Sequence, residues 1–318
     1  LMTSRLQRKL SSILKIQGKL TNAVMDKTGL NDCLQSIRSN FKFSQYVLFL
    51  LSQLTYFNVF IVFNFSDQSI QGFNPKNQLT AMRNQLDGWI DKSRNYKSNF
   101  GCTIDGRSRF DLEPKDHSAK TPALRRISSP IEISKDYLKT TLDNRALDLI
   151  TYIFGPNIKL LNTKINLKLP GSGTKVKYHQ DFPFEPHSND DLVTTLFFLD
   201  DVTTDNGPLE VVPGTHEKEI HSLWHNGVFT GAVSAAVEAN AKKFAVKCLG
   251  KAGDACLMHT RLLHGSLPNK TDKPRRLFIA SYAAEDAIAL DRNHIPSKYD
   301  GEIVRGNKTG KVRTSSFE

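Results

Sequence analysis

The hydrophobic rhythm of the chain changes near Lys159. Before that point apolar residues recur at helical spacing, and after it they gather in short runs cut by glycine and proline. Gln78–Asn95 places Leu79, Met82, Leu86 and Ile90 on one face and predicts a helix. Lys135–Phe154 predicts a second helix, with Ser134 as its N-cap and Gly155-Pro156 closing it. Between them, residues 96–133 are polar and broken by Gly101, Gly106, Pro114, Pro122 and Pro130. That stretch predicts a long functional or mobile loop carrying Arg125-Arg126.

From Lys159 onward the pattern predicts strands. Candidates are Ile165–Lys168, Lys175–His179, Val193–Leu199, Leu209–Val212, Phe244–Cys248, Ala255–Met258, Leu262–Gly265 and Arg276–Tyr282. Val193–Leu199 has no charge, as expected of a strand buried on both faces. Residues 217–242 read as an inserted loop with a short helix. Many short strands with Gly/Pro turns predict a mainly β jelly roll with helices packed outside.

Upstream, Tyr46–Phe65 is uncharged and long enough to cross a bilayer, but Ser52, Gln53, Thr55, Asn58 and Asn64 interrupt it. It divides better into a helix, Tyr46–Phe57, a turn at Asn58 and a buried strand, Val59–Phe65, so no membrane span is expected. Residues 1–25 hold Arg5, Arg8, Lys9, Lys15 and Lys19, with Leu6, Leu10, Ile13 and Leu14 at helical spacing. They suit a basic helix lying on the domain or, alternatively, an organelle-targeting segment. The expected organisation is a basic helical extension over 1–45, one domain over 46–304 with its β core at about 159–284, and a polar tail over 305–318.

Among the 318 residues, 39% are apolar and 24% charged, which is ordinary for a globular protein. The net charge of +11 favours an anionic partner. No zinc-finger spacing or aromatic-basic RNA motif occurs, so nucleic acid is not the expected partner. The cysteines Cys33, Cys102, Cys248 and Cys256 form no CxxC pair. This argues for a reducing, cytoplasmic setting rather than a disulfide framework.

Chemistry concentrates in two places. Tyr178-His179-Gln180-Asp181 sets a histidine and a carboxylate two apart at a strand end, where both could reach one ion. Alone, such a pair is more often a turn or a surface ion pair. A second histidine would complete a two-histidine, one-carboxylate set that leaves positions open on iron(II). His264 and His259 both compete for that role. His264 is followed eleven residues later by Arg275, fitting a strand, a turn and an antiparallel neighbour. Arg275 could hold the distal carboxylate of 2-oxoglutarate through paired hydrogen bonds, with Ser266 adding a hydroxyl. Arg276 would point the other way. Asn162, Lys164, Asn166 and Lys168 alternate on the preceding strand, where one face meets either the pocket or the exterior. His216 suits a turn, and His187, His221 and His225 suit the pocket mouth or open solvent.

The stretches KINLKLPGSGTKVKYHQDF, LFFLDDVTTDNGPLEVVPGTH and HGSLPNKTDKPRRL resemble the phytanoyl-CoA dioxygenase family of Fe(II)/2-oxoglutarate oxygenases, over about three-quarters of the chain. The resemblance implies a double-stranded β-helix core, and Fe(II), 2-oxoglutarate and O2 as cofactor and co-substrates. It implies His179, Asp181 and His264 as metal ligands and Arg275 on the co-substrate; from their places on the strands, Ser266, Asn162 and Asn166 are candidates to join it. Arg125, Arg126 and Lys164 would meet a small anionic substrate. The retained Asp181 argues against halogenation, which in this fold needs the carboxylate's place. Within the family the red-algal kainoid synthases, which close a pyrrolidine ring on an N-prenylated glutamate, form a similar branch. Rival readings are 2-hydroxylation of an acyl-CoA, a non-catalytic metal-binding barrel, and demethylation of nucleic acid.

Overall fold

The computed structural model describes the backbone of residues 60–64 and residues 75–315. The expected extension over 1–45 and the helix Tyr46–Phe57 lie outside the described residues. The described chain opens with β1 (Phe60–Asn64), α1 (Pro75–Ser93), β2 (Phe100–Cys102), β3 (Ser108–Leu112) and β4 (Leu124–Ser128). Two short helices, α2 (Lys135–Leu142) and α3 (Ala146–Phe154), lead into β5 (Ile158–Lys168). Next come β6 (Val176–His179), β7 (Leu192–Phe198), β8 (Leu209–Val211) and a small hairpin of β9 (Trp224–His225) and β10 (Val228–Phe229). The chain ends with α4 (Ala235–Phe244), β11 (Val246–Cys248), β12 (Asp254–His259), β13 (His264–Ser266), β14 (Arg275–Ala284) and β15 (Ile303–Arg305).

Two sheets carry the architecture. The larger runs in the order β1-β12-β7-β14-β5-β4-β3-β2, with β15 also on β5, and the smaller runs β11-β8-β13-β6. Every described pairing in them is antiparallel. Both sheets are open, so the strands form no closed barrel among the described residues.

β14 shows how the layers are held. All ten of its residues are buried, and alternate side chains serve opposite faces. Phe278 meets Tyr137 of α2 edge-on at 4.9 Å, and Tyr282 donates its hydroxyl to Thr141 O at 2.8 Å, so this face carries helices. Leu277 and Ile279 point the other way, into a cluster with Val211, Cys248 and Leu262 that joins the two sheets. Burying such a side chain stabilises by roughly 1.5–3 kcal/mol. The same alternation turns Arg276 outward onto Asp200 and Asp87 and Arg275 inward.

Two expectations need correction. Residues 96–133 are no structureless loop, since β2, β3 and β4 extend the large sheet there. Their charges disguised them: Arg109 is buried on β3 because Glu132 takes its guanidinium at 2.6 Å and Ser129 O accepts from it at 2.7 Å. Lys135–Phe154 is likewise two helices. Asp143 adopts extended backbone, and Asn144 accepts from Leu147 N at 3.3 Å as the chain restarts. Ser134 does cap α2, accepting from Tyr137 N, and Gly155 closes α3 with φ 109°.

Candidate metal centre

The smaller sheet brings the two histidines together. β6 and β13 are antiparallel neighbours, and His179 lies directly opposite His264 in their register. The rings are 4.2 Å apart between centroids. Each Nδ1 sits 2.8 Å from the carbonyl two residues earlier, Lys177 O for His179 and Leu262 O for His264. Those carbonyls accept the Nδ1 protons and leave each Nε2 lone pair free for a cation. Asp181 Oδ1 stands 3.4 Å from His179 Nε2 and 3.7 Å from His264 Nε2. One donor atom from each of the three residues falls within 4.8 Å of the others.

Asp181 reaches this point by a different route from the one its spacing suggested. β6 ends at His179, and Asp181 has helical backbone angles (φ −72°, ψ −34°) at the start of a 3-10 turn over Phe182–Phe184. The turn brings the carboxylate round, while Gln180 points the other way and is fully buried. Gln180 donates to Arg261 O at 2.7 Å and Glu219 O at 3.2 Å, and accepts from His221 N at 2.8 Å. It ties the ligand pair to the turn before β13 and to the strap leading to the β9–β10 hairpin.

Burial, with His179 beside it, pushes His264 down to about 4, so its ring is neutral at physiological pH. Burial opposes ionisation of Asp181, yet the His264 and His179 imidazoles and the Lys164 ammonium hold its carboxyl well below the usual range. One anionic oxygen and neutral imidazole nitrogen suit a divalent first-row metal.

The donors face a cavity of about 550 Å³ between the sheets. At one end lie Arg275, Lys168 and Ser266. Arg275 is 2% exposed, and its Nε and Nη1 have no hydrogen-bond partner. Burial lowers it to about 10. Lys168 donates to Ser266 Oγ at 2.7 Å and to Leu267 O. Burial and the neighbouring Arg275 drive it down to about 6. Gly207 makes room here: at φ +77°, an added Cβ would lie 2.5 Å from Leu267 O and 2.8 Å from Lys168 Cδ. Two basic side chains therefore share a pocket in which, among the described residues, neither forms an ion pair. That is the environment an incoming carboxylate would complete.

The remaining wall is basic as well. Arg125, Arg126, Lys164, Lys175 and Lys177 line the cavity, while Asp181 is the one carboxylate among the lining residues. Arg125 and Arg126 share Asp111, which accepts from Arg126 Nε at 2.7 Å, and both remain partly exposed. Asn166 lines the cavity, but Asn162 does not; its amide donates to the buried Glu185 at 2.7 Å. Burial and Asp181 raise Glu185 to about 8.

Of the other histidines, His259 is buried beside His216, with ring centroids 5.5 Å apart, and its Nδ1 accepts from Arg261 N. It is not in the three-residue donor group, so His264 is the partner of the pair. His187 is buried and bonded to Glu185 O rather than solvated, and His225 bonds to Ala232 O. Sequence reasoning missed His294 and Phe184 on the cavity wall. Phe184 packs edge-on against His179 at 5.7 Å. Nothing in the irregular segment around His294 marked it. Lys168, by contrast, shared its strand face with Lys164 and Asn166.

The fold and this donor set define a protein with a two-histidine, one-carboxylate metal centre on a β-sheet core. The chain belongs to the phytanoyl-CoA dioxygenase family, whose sequence pattern matches residues 70–277. It is 34% identical over 201 residues to a probable alpha-ketoglutarate-dependent hypophosphite dioxygenase of Stutzerimonas stutzeri, covering 61% of this chain and 69% of that one. It is 33% identical over 150 residues to the peroxisomal phytanoyl-CoA dioxygenase of Homo sapiens, covering 43% of each. To the L-proline trans-4-hydroxylase of Streptomyces griseoviridis it is 31% identical over 160 residues, 42% of this chain and 58% of the relative. Among solved structures, EctD from S. alaskensis shares the fold with a TM-score of 0.57 at 18% identity, over 81% of this chain and 84% of that one. Among the described residues no helix is long and apolar enough to cross a membrane.

Proposed function

We propose that this chain is an Fe(II)- and 2-oxoglutarate-dependent dioxygenase that oxidises an unactivated C–H bond of a small anionic substrate. Its two facing sheets are read as the double-stranded β-helix of that class. The observation that carries the proposal is the unpaired, buried Arg275 in the same cavity as three metal donors within 4.8 Å of one another. His179, Asp181 and His264 would hold the iron. Arg275, with Lys168 and Ser266, would hold the far carboxylate of 2-oxoglutarate and so aim its keto-acid end at the donors. Iron(II), when bound, supplies the oxygen chemistry that couples decarboxylation of 2-oxoglutarate to succinate with oxidation of the substrate.

The basic wall of Lys164, Lys175, Lys177, Arg125 and Arg126 supports an anionic substrate, whose negative groups would be drawn in by the local field. Whether the outcome is hydroxylation or ring closure depends on where the substrate's reacting carbon sits. An N-prenylated glutamate and an acyl-CoA are the two substrates to set against each other.

Adding Fe(II) and 2-oxoglutarate without oxygen should produce a visible metal-to-ligand charge-transfer band. His179→Ala and Arg275→Ala should abolish it. A wild-type spectrum unchanged by both ligands would refute the proposal. Succinate release then distinguishes acidic amino-acid derivatives from acyl-CoAs as substrates.

A further inference from the structure

Asp181 has two carboxylate oxygens, and they are used differently. Oδ1 faces the imidazoles, 3.4 Å from His179 Nε2 and 3.7 Å from His264 Nε2. Oδ2 instead accepts a hydrogen bond from Thr194 Oγ1 at 3.1 Å. Thr194 is 2% exposed on β7, and its hydroxyl is also 3.4 Å from Ser281 Oγ. Ser281 stands directly opposite it on β14. An ionised carboxylate can only accept, so the Thr194 proton is committed to Asp181. The second contact must then run from Ser281 to Thr194, and the two hydroxyls polarise each other toward the carboxylate.

Thr194 is also out of keeping with its strand face. Leu196 and Phe198, the next residues on that face, join the apolar cluster between the sheets. A threonine whose only task was to fill space there could be a valine, which has the same branching and no hydroxyl to satisfy.

We propose that Thr194, oriented by Ser281, is a positioning residue that keeps Asp181 a one-oxygen metal ligand. The proposal rests on the metal reading above and deepens it. A metal held by these three donors would need places left for the co-substrates, and an Asp181 carboxylate free to turn would both crowd those places and lose its fixed aim at the cation. By engaging Oδ2, Thr194 sets how many positions the co-substrates find open.

The test compares Thr194→Val, Thr194→Ser and Ser281→Ala in the full chain. Mn(II) affinity is followed by electron paramagnetic resonance, thermal unfolding is measured alongside, and the Fe(II)/2-oxoglutarate band is recorded without oxygen. Thr194→Val should weaken Mn(II) binding by about 10- to 100-fold, the range for losing an outer-shell partner of a metal ligand. Its melting temperature should fall by no more than about 12 °C, since Asp181 Oδ2 loses a buried partner worth about 1–3 kcal/mol at roughly 2–4 °C each, which leaves a folded protein in which metal binding can be read. Thr194→Ser should restore affinity to within about threefold, and Ser281→Ala should give an intermediate loss.

Mn(II) binding by Thr194→Val at wild-type strength would overturn the proposal while leaving the metal reading intact. So would a Thr194→Ser variant as weak as the valine one. If Thr194→Val does not fold, the serine and Ser281→Ala variants decide: wild-type affinity in Ser281→Ala overturns the oriented pair. A wild-type protein with neither Mn(II) binding nor the band refutes the metal reading, and this proposal with it.

Discussion

Replacing Arg275 by methionine should make the ligand-free protein more stable and blind to 2-oxoglutarate. Arg275 is 2% exposed, lacks partners at Nε and Nη1, and is lowered by burial to about 10. The charged form is thus disfavoured in the folded state relative to the unfolded one. Because the folded value lies below the unfolded value, that penalty is present in full at every pH below about 10. At roughly 1.4 kcal/mol per tenfold change, it amounts to at most about 3 kcal/mol. Methionine has a similar length, fills the same channel and carries no charge. For a domain of this size roughly 2–4 °C accompanies each kcal/mol, so the ligand-free melting temperature should rise by up to about 6–12 °C. Wild type should in turn gain about 2.7 kcal/mol from 2-oxoglutarate at one hundred times its dissociation constant, and the variant nothing. Differential scanning fluorimetry with Mn(II), with and without 2-oxoglutarate, reads both effects. A ligand-free Arg275→Met that melts several degrees below wild type, or one that keeps the 2-oxoglutarate shift, would refute the reasoning.

Lys168 predicts a pH dependence in the neutral range, where a surface lysine would show none until about pH 10. Held down to about 6 by burial and Arg275, it is neutral at pH 7–8 in the empty pocket and must take up a proton when a carboxylate arrives. Affinity for 2-oxoglutarate should therefore fall by up to about tenfold per pH unit above pH 6, flattening in Lys168→Met. Calorimetry in phosphate and Tris buffers would show the proton uptake, and a pH-independent wild-type affinity would exclude it. Gly265 lies between His264 and Ser266, where an added Cβ would stand 2.8 Å from Tyr178 Cδ2 and 3.1 Å from Val176 O. Gly265→Ala should push β13 from β6, costing about 1–3 kcal/mol in thermal unfolding and weakening Mn(II) binding with it. Gln180→Leu removes the partner of Arg261 O, Glu219 O and His221 N, each loss costing about 1–3 kcal/mol. Limited proteolysis should then cut residues 217–231 faster than in wild type, and equal rates would deny Gln180 its role as a tether.

The metal donors were legible in the sequence because antiparallel pairing turns spacing into proximity. A His-x-Asp at one strand end and a histidine eleven residues before an inward arginine leave few ways to assemble, and His264 falls opposite His179. Arg276 was assigned outward by the same two-residue period, and Asp200 and Asp87 receive it there. The period fails where position along the strand matters more than face. Asn162 and Lys168 share a face of β5 but stand six residues apart, about 20 Å at the rise of an extended strand. Lys168 consequently reaches the Arg275 end, while Asn162 falls beside Glu185, a partner no local pattern announces. The charged strands were hidden for a related reason. Arg109 reads as solvent-facing until Glu132, more than twenty residues on, is placed beside it. Local sequence states what a side chain needs, and only the assembled sheets state whether that need is met. Arg275 is the instructive exception, since its need is left unmet by the whole described fold. An arginine buried without a carboxylate is costly enough that a folded chain keeps it only when something beyond the described residues completes the pair.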